Sequence, residues 1–301
     1  MTTPPSVTIV ILNWNGLADT RECLQSLQAV DYGAFRAIVV DNGSRNDEAG
    51  KLEAEFGSFL EVLRLSKNRG FAGGANAGIR RALEADGDYV LLLNNDTVVA
   101  PTFLQMMIDA ARELPDLAAA CPRTNFYDRP RVIYSTGGEV SIWRAVATQV
   151  GRGEEDTGQY DRVKRRDYAD GVCMLIPRSA IEKVGLLDEQ YFAYWEETDW
   201  CIRARAYGLH CYYVPLARIW HKASRSQKPD ARFDYLYRRN ALLFARKRGT
   251  RMQAVTAFLM HALFYAPAYF VRNPTRIGRA IPAIRALFWH THNQPKGRSL
   301  V

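Results

Sequence analysis

The chain has 301 residues, of which 48% are hydrophobic, 11% aromatic and 24% charged, a globular composition that excludes disordered or collagen-like chains. Its net charge of +8 is uneven: residues 202–301 carry 19 Lys and Arg against 2 Asp and Glu, and residues 1–201 carry 21 against 30. Five cysteines without a C-x-x-C pair argue against a disulfide scaffold or a cysteine zinc site and favour a reducing compartment.

In chain order, MTTPPSVTIVILNWNG has no basic leader and its apolar run stops at Leu12, so no secretory signal is expected. VTIVIL (7–12) reads as a strand, LADTRECLQSLQAV (17–30) as a helix, AIVVD (37–41) and FLEVLRL (59–65) as strands. GGANAGIRRALEA (73–85) suits a helix, YVLLLN (89–94) a strand, and PTFLQMMIDAAREL (101–114) a helix entered at Pro101. Strands separated by helices predict an α/β fold with a mostly parallel sheet. Beyond residue 120, segment 132–150 suggests strands or a hairpin. The polar stretch 151–167 reads as a mobile surface loop, 171–177 as a strand, 196–208 as a helix ending at Gly208, and 210–215 as a strand. Pro229 in the polar stretch 222–235 marks a boundary, giving a domain over 1–225 and a basic, apolar helical region over 226–301.

Each early strand ends in polar residues: Asn13 and Asn15, then Asp41 and Asn42, then Asn68, then Asn94, Asn95 and Asp96. In a parallel sheet these ends share one rim, where open α/β sheets bind ligands. Turn chemistry alone explains any one position, but four in series favour a common site. The glycine-rich NRGFAGGANAG (68–78) lets backbone approach a phosphate, yet matches neither the dinucleotide nor the P-loop pattern. Asp96 offers an oxygen ligand for a hard cation such as Mg2+ or Mn2+. A second acidic cluster, Glu196, Glu197 and Asp199, sits at a helix start among Phe192, Tyr194, Trp195 and Trp200. Asp199 and Arg203 can pair along the helix, whereas a carboxylate beside aromatic rings gains proton affinity and suits base catalysis. His221, after the strand-like ARIWH, could complete a cation site.

The strings VTIVILNWNG, VVDNGSRND, NRGFAGGANAG, YVLLLNNDTVV, FAYWEETDWCIRA and IWH, in order over about residues 7–221, resemble the inverting family 2 glycosyltransferases of GT-A fold, particularly the rhamnosyltransferase-like branch. The resemblance implies a nucleotide-sugar donor, with Leu12, Trp14 and Asp41 as nucleoside contacts and Gly70 and Asn76 in the same pocket. Asn94-Asn95-Asp96 resembles the family's D-x-D motif. Asn95 would lie near the ribose or diphosphate, and Asp96, helped by His221, would hold Mn2+ or Mg2+. Asn94 departs from the motif because it is not an acid. Glu197 matches the family's catalytic base, with Glu196 the alternative and Asp199 a supporting acid. The implied donor is dTDP-rhamnose first and UDP-sugars next, and the implied acceptor a glycan or lipid-linked hydroxyl. A nucleotide-sugar-binding partner subunit without activity is the competing expectation.

The basic C-terminal third calls for an anionic partner. Residues 252–271 contain no Asp, Glu, Lys or Arg, and arginines bracket them, with Trp289 nearby. In-plane attachment to an anionic membrane is favoured over a core helix or a full span, with the protein cytoplasmic and peripheral at the inner face of the cell membrane. No RNA- or DNA-binding module pattern appears, so nucleic acid is not expected as a partner.

Overall fold

The computed structural model describes residues 3–223, residues 231–265 and residue 268. The strands and helices run β1 (Val7–Asn13), α1 (Leu17–Gln28), β2 (Phe35–Asp41), α2 (Glu48–Phe56), β3 (Leu60–Arg64), α3 (Gly70–Leu83), β4 (Tyr89–Asn94), β5 (Thr97–Val99), α4 (Phe103–Arg112) and β6 (Leu117–Phe126). They continue as β7 (Ile133–Ser135), β8 (Gly138–Ser141), β9 (Val146–Gln149), β10 (Lys164–Arg166), β11 (Cys173–Pro177), α5 (Arg178–Val184), α6 (Glu196–Arg205), β12 (His210–His221), α7 (Ala231–Arg248) and α8 (Arg251–Met260).

The main sheet has the order β10-β12-β6-β11-β4-β1-β2-β3. β3, β2, β1 and β4 are mutually parallel, β12 runs parallel to β6, and β11 lies antiparallel between β4 and β6. The central strands β1, β2, β4 and β11 are apolar on both faces because helices cover both. Alternation along β1 sends Ile9 and Ile11 to one core, with Leu24, Leu52, Phe103 and Met107 of α1, α2 and α4. Val10 goes to the other, with Ile79, Ile181 and Trp200 of α3, α5 and α6. All five cysteines are buried in these layers. Burial pushes the Cys23 and Cys121 thiols up to about 12, so they act as small apolar side chains rather than nucleophiles.

The glycine-rich segment is helix from Gly70 onward rather than a loop. A Cβ at Gly74 would collide with Leu12, and one at Gly78 with Val10, so these glycines let α3 pack closely on the sheet. The stretch 151–167 is anchored: the buried Arg123 guanidinium bonds both carboxylate oxygens of Asp156 at 2.9 and 2.7 Å and also Asp161. β12 runs past Pro215 because residues 215–217 bulge out between the pairs Val214–Pro122 and Arg218–Arg123. The strand therefore reaches His221, which pairs with Thr97 of β5.

Among the described residues, one compact unit is drawn from Met1–Glu139, Ala147–Phe192 and Glu196–Ser226. A second is drawn from Val140–Val146, Ala193–Trp195 and the chain from Gln227 onward. Sequence had assigned 140–146 and 193–195 to the first domain. In the second unit, Nδ2 of the buried Asn240 on α7 donates to the carbonyls of Ala193 and Tyr194, each at 2.7 Å. Trp195 also packs on Phe244, with ring centroids 5.0 Å apart. α8 starts with a capping box made by Thr250 and Gln253 and continues into a π-helical turn over His261–Tyr265. Among the described residues no helix is long and apolar enough to cross a membrane. Pro229, Trp289 and the part of 252–271 beyond residue 265, apart from residue 268, lie outside the described residues.

Candidate active site

The polar strand ends converge through one amide. Asn13, fully buried at the end of β1, directs Nδ2 to Asp41 Oδ1 at 3.1 Å, Ser44 Oγ at 3.2 Å and Glu48 Oε2 at 3.0 Å. Its Oδ1 accepts from Thr20 Oγ1 at 2.8 Å, and Thr20 accepts from Asn95 Nδ2 at 2.9 Å. The ends of β1, β2 and β4 are thus joined by side chains whose polar groups would otherwise lose hydration without compensation. Leu12 is half-buried and Trp14 exposed beside this hub, while Asp41 is buried within it.

Gly70 borders this hub, its carbonyl accepting from Nδ2 of Asn42, next to Asp41, at 3.0 Å. Gly70 takes φ +75° against Phe192, and Ala72 N donates to Phe192 O at 3.2 Å, which ties the start of α3 to the turn before α6. Expected in the donor pocket, Asn76 instead clamps that same turn. Its Nδ2 donates to Leu187 O at 2.9 Å and Glu189 Oε1 at 3.1 Å, and its Oδ1 accepts from Leu187 N at 3.0 Å.

Asp96 and His221 meet. Both are buried, and His221 Nε2 lies 3.1 Å from Asp96 Oδ1, with the His221 ring edge-on to Tyr134 at 4.5 Å between centroids. His221 Nδ1 is buried without a hydrogen-bond partner. One carboxylate and one imidazole suit Mn2+ or Mg2+ when waters and phosphate oxygens fill the other positions. Among the described residues no group of three or more His, Cys, Asp or Glu could hold a metal ion.

Glu197 occupies the first turn of α6, with its side chain against Gly171. Burial first, and then the charge of Asp170, push its carboxyl up to about 7, opposed by the backbone N–H groups of Glu197 and Thr198. Glu196 is buried beside it in sequence. Asp199 is not at this position: its oxygens are engaged by Tyr191 OH at 2.8 Å and Arg203 Nε at 3.0 Å, which brace α6. The entry to α6 is strained, since Phe192, Tyr194 and Trp195 have φ of 66, 70 and 78°.

Asp170, Gln149 and Tyr134 were not singled out from sequence, yet they join the two clusters. Asp170 Oδ2 accepts from Gln149 Nε2, Gln149 Oε1 accepts from Arg152, the Arg152 guanidinium lies over the Tyr134 ring, and Tyr134 meets the His221 ring. Val172 O also accepts from Asn94 N at 2.9 Å, which places the Asp170–Val172 turn beside Asn94. The visible signal was the Asp-Gly turn before the strand 171–177.

A sequence profile for Glycosyl transferase family 2 matches residues 8–185, more than half the chain. Relatives include the low-salt glycan biosynthesis hexosyltransferase Agl10 of Haloferax volcanii, 27% identical over 200 residues that cover 66% of this chain and 61% of that protein. The N-acetylglucosaminyl-diphospho-decaprenol L-rhamnosyltransferase of Mycobacterium tuberculosis is 26% identical over 226 residues, covering 69% of this chain and 73% of that protein. Among solved structures, the mannosyltransferase PcManGT of Pyrobaculum calidifontis, in complex with GDP-Man and Mn2+, superposes with TM-score 0.59 at 15% identity, over 98% of this chain and 77% of that one. GalNAc-T7 with UDP, GalNAc and Mn2+ gives TM-score 0.60 at 14% identity, over 84% and 54%. At these identities the structures speak for the fold, a GT-A arrangement of a mostly parallel sheet flanked by helices. With its profile match spanning the sheet from β1 to α5, the chain belongs to glycosyl transferase family 2.

Proposed function

We propose that the chain is an inverting glycosyltransferase that moves a sugar from a nucleoside-diphosphate donor to a hydroxyl of a glycan or lipid-linked acceptor in cell-surface polysaccharide synthesis. The observation that supports this reading most is the carboxyl of Glu197, poised near neutrality and linked through Asp170, Gln149, Arg152 and Tyr134 to the Asp96–His221 pair. Glu197 takes the proton from the acceptor hydroxyl. The acceptor oxygen bonds to the anomeric carbon as the bond to the diphosphate breaks on the opposite face, which inverts the configuration. A carboxyl near pH 7 is ionised often enough to act as base and basic enough to accept the proton. The nucleoside sits at the Leu12, Trp14 and Asp41 end, with Asn95 toward the diphosphate. Asp96 and His221 would hold Mn2+ or Mg2+, which when bound neutralises charge on the diphosphate oxygens. Diphosphate is a good leaving group, so one carboxylate suffices where glycoside hydrolysis uses two.

The donor proposed first is dTDP-rhamnose, with UDP-sugars next, in keeping with the rhamnosyltransferase relative. Peripheral attachment to an anionic membrane at the inner face of the cell membrane is proposed from the basic C-terminal third and from α8, where Met252, Val255, Leu259 and, beyond it, Leu263 are exposed. A panel of nucleotide-sugars scored by thermal shift with Mn2+ tests the donor reading, because a ligand of the native state raises the melting point. Transfer from the radiolabelled hit then tests activity. If no nucleotide-sugar shifts the melt, the donor reading is wrong.

A further inference from the structure

The Asp96–His221 site brings one carboxylate, which offsets only one of the two charges of a divalent cation, while a nucleoside diphosphate carries more negative charge than the remainder. Two of the nearby cations are spent: Lys222 Nζ bonds Asp19 at 2.8 Å and Glu22 at 2.6 Å, and Arg123 is held by Asp156 and Asp161. Arg152 differs. It is exposed, and its contacts among the described residues are neutral: Nη1 donates to Gln149 Oε1, and Cζ lies 4.3 Å from the Tyr134 ring centroid and 5.5 Å from that of Phe126. Tyr134 is the ring that meets His221, and Gln149 is the amide that also holds Asp170. The guanidinium is therefore one ring away from the imidazole and one amide away from the carboxylate beside Glu197.

The backbone builds this presentation. Arg152 sits between Gly151 at φ 78° and Gly153 at φ 86°, both in the left-handed region that favours glycine. The turn is fastened to β7, with Gly153 N donating to Ile133 O at 2.8 Å and Ile133 N to Glu154 O at 2.8 Å. Stacked on rings and held by an amide, the guanidinium loses little freedom on meeting an anion, and its fork matches phosphate oxygens.

We propose that Arg152 binds the diphosphate of the donor, supplying the positive charge that the single-carboxylate Asp96–His221 site lacks. The proposal rests on the reading of that site as the diphosphate position. Inorganic pyrophosphate with Mn2+ is the probe, titrated by calorimetry into the full chain as wild type, Asp96→Ala, Arg152→Met, Arg152→Gln and Arg152→Lys. Methionine keeps an apolar stem on the rings but no charge. The expected results are binding by wild type, its loss in Asp96→Ala, and weakening by at least about tenfold in Arg152→Met, the scale of one charged hydrogen bond. Arg152→Lys, which keeps charge without the fork, is expected to fall between, and the charge-free Arg152→Gln decides the matter if Arg152→Met does not fold. Wild-type affinity in a folded Arg152→Met, or in Arg152→Gln when the methionine variant is unfolded, overturns the role of Arg152 alone. No binding by wild type, or undiminished binding by Asp96→Ala, overturns the diphosphate reading and the proposal together.

Discussion

The Glu197 carboxyl packs against Gly171, and the charge of the adjoining Asp170 adds to burial in raising its proton affinity to a pKa of about 7. The base must be ionised to act, so kcat/KM is expected to rise with pH along a limb centred near 7. In Asp170→Asn one of the two raising causes is gone, and the limb moves to lower pH. A limb that stays in place would remove Asp170 from the account.

The same shift affects stability. The folded-state pKa lies above the ordinary value of 4.5, so between 4.5 and about 7 the folded chain binds the extra proton. The stability this carboxyl contributes is present below that window and is lost as pH rises through it. Glu197→Gln cannot ionise, so its melting point relative to wild type is expected to be higher at about pH 8 than at about pH 5. Parallel melting curves across pH for the two proteins check this.

Asn13 joins three strand ends through buried hydrogen bonds to Asp41, Ser44, Glu48 and Thr20. Asn13→Ala leaves those groups short of a partner, and a loss of about 1–3 kcal/mol or more is expected in urea unfolding. Unchanged stability would mean that water replaces the amide at no cost.

The Asp96–His221 pair predicts that nucleoside diphosphate binds more tightly with Mn2+ than in EDTA, and that Asp96→Ala abolishes the difference. Calorimetry of UDP with and without Mn2+ measures it. A metal effect that survives in Asp96→Ala would move the cation elsewhere.

On α8, exposed Met252, Val255 and Leu259 line up at helical spacing. Flotation with anionic liposomes at low salt is expected to carry the wild type upward. Leu259→Asp weakens this, and about 1 M salt weakens it further through screening. Failure of the wild type to float would remove the membrane proposal.

The parallel half of the sheet was legible because β1, β2 and β4 are branched apolar runs ending in polar turns. β6 was not, since its Ala-rich sequence with Pro122 and Arg123 looks unlike a strand; tertiary burial and the ion pairs of Arg123 make it one. The short helices α2 and α5 have no counterpart in the sequence reading, and β12 was legible only as two strand-like pieces split at Pro215, where the bulge keeps one strand continuous. At the site, residue types flagged Asp96, His221 and Glu197. Only three-dimensional packing shows that Asn76 and Asp199 are engaged in bracing turns and that Asp170, Gln149 and Arg152 gather between the two acidic clusters. Such roles depend on partners distant in sequence, which local pattern does not encode.

The account turns on Glu197 as the base that acts on an acceptor while the donor is held separately. The direct measurement is turnover of Glu197→Gln, with the donor dissociation constant determined on the same preparation. Loss of about 10²–10⁴-fold in kcat with donor affinity unchanged is the predicted result. Turnover close to wild type, with Glu197→Gln folded and binding donor, would contradict it.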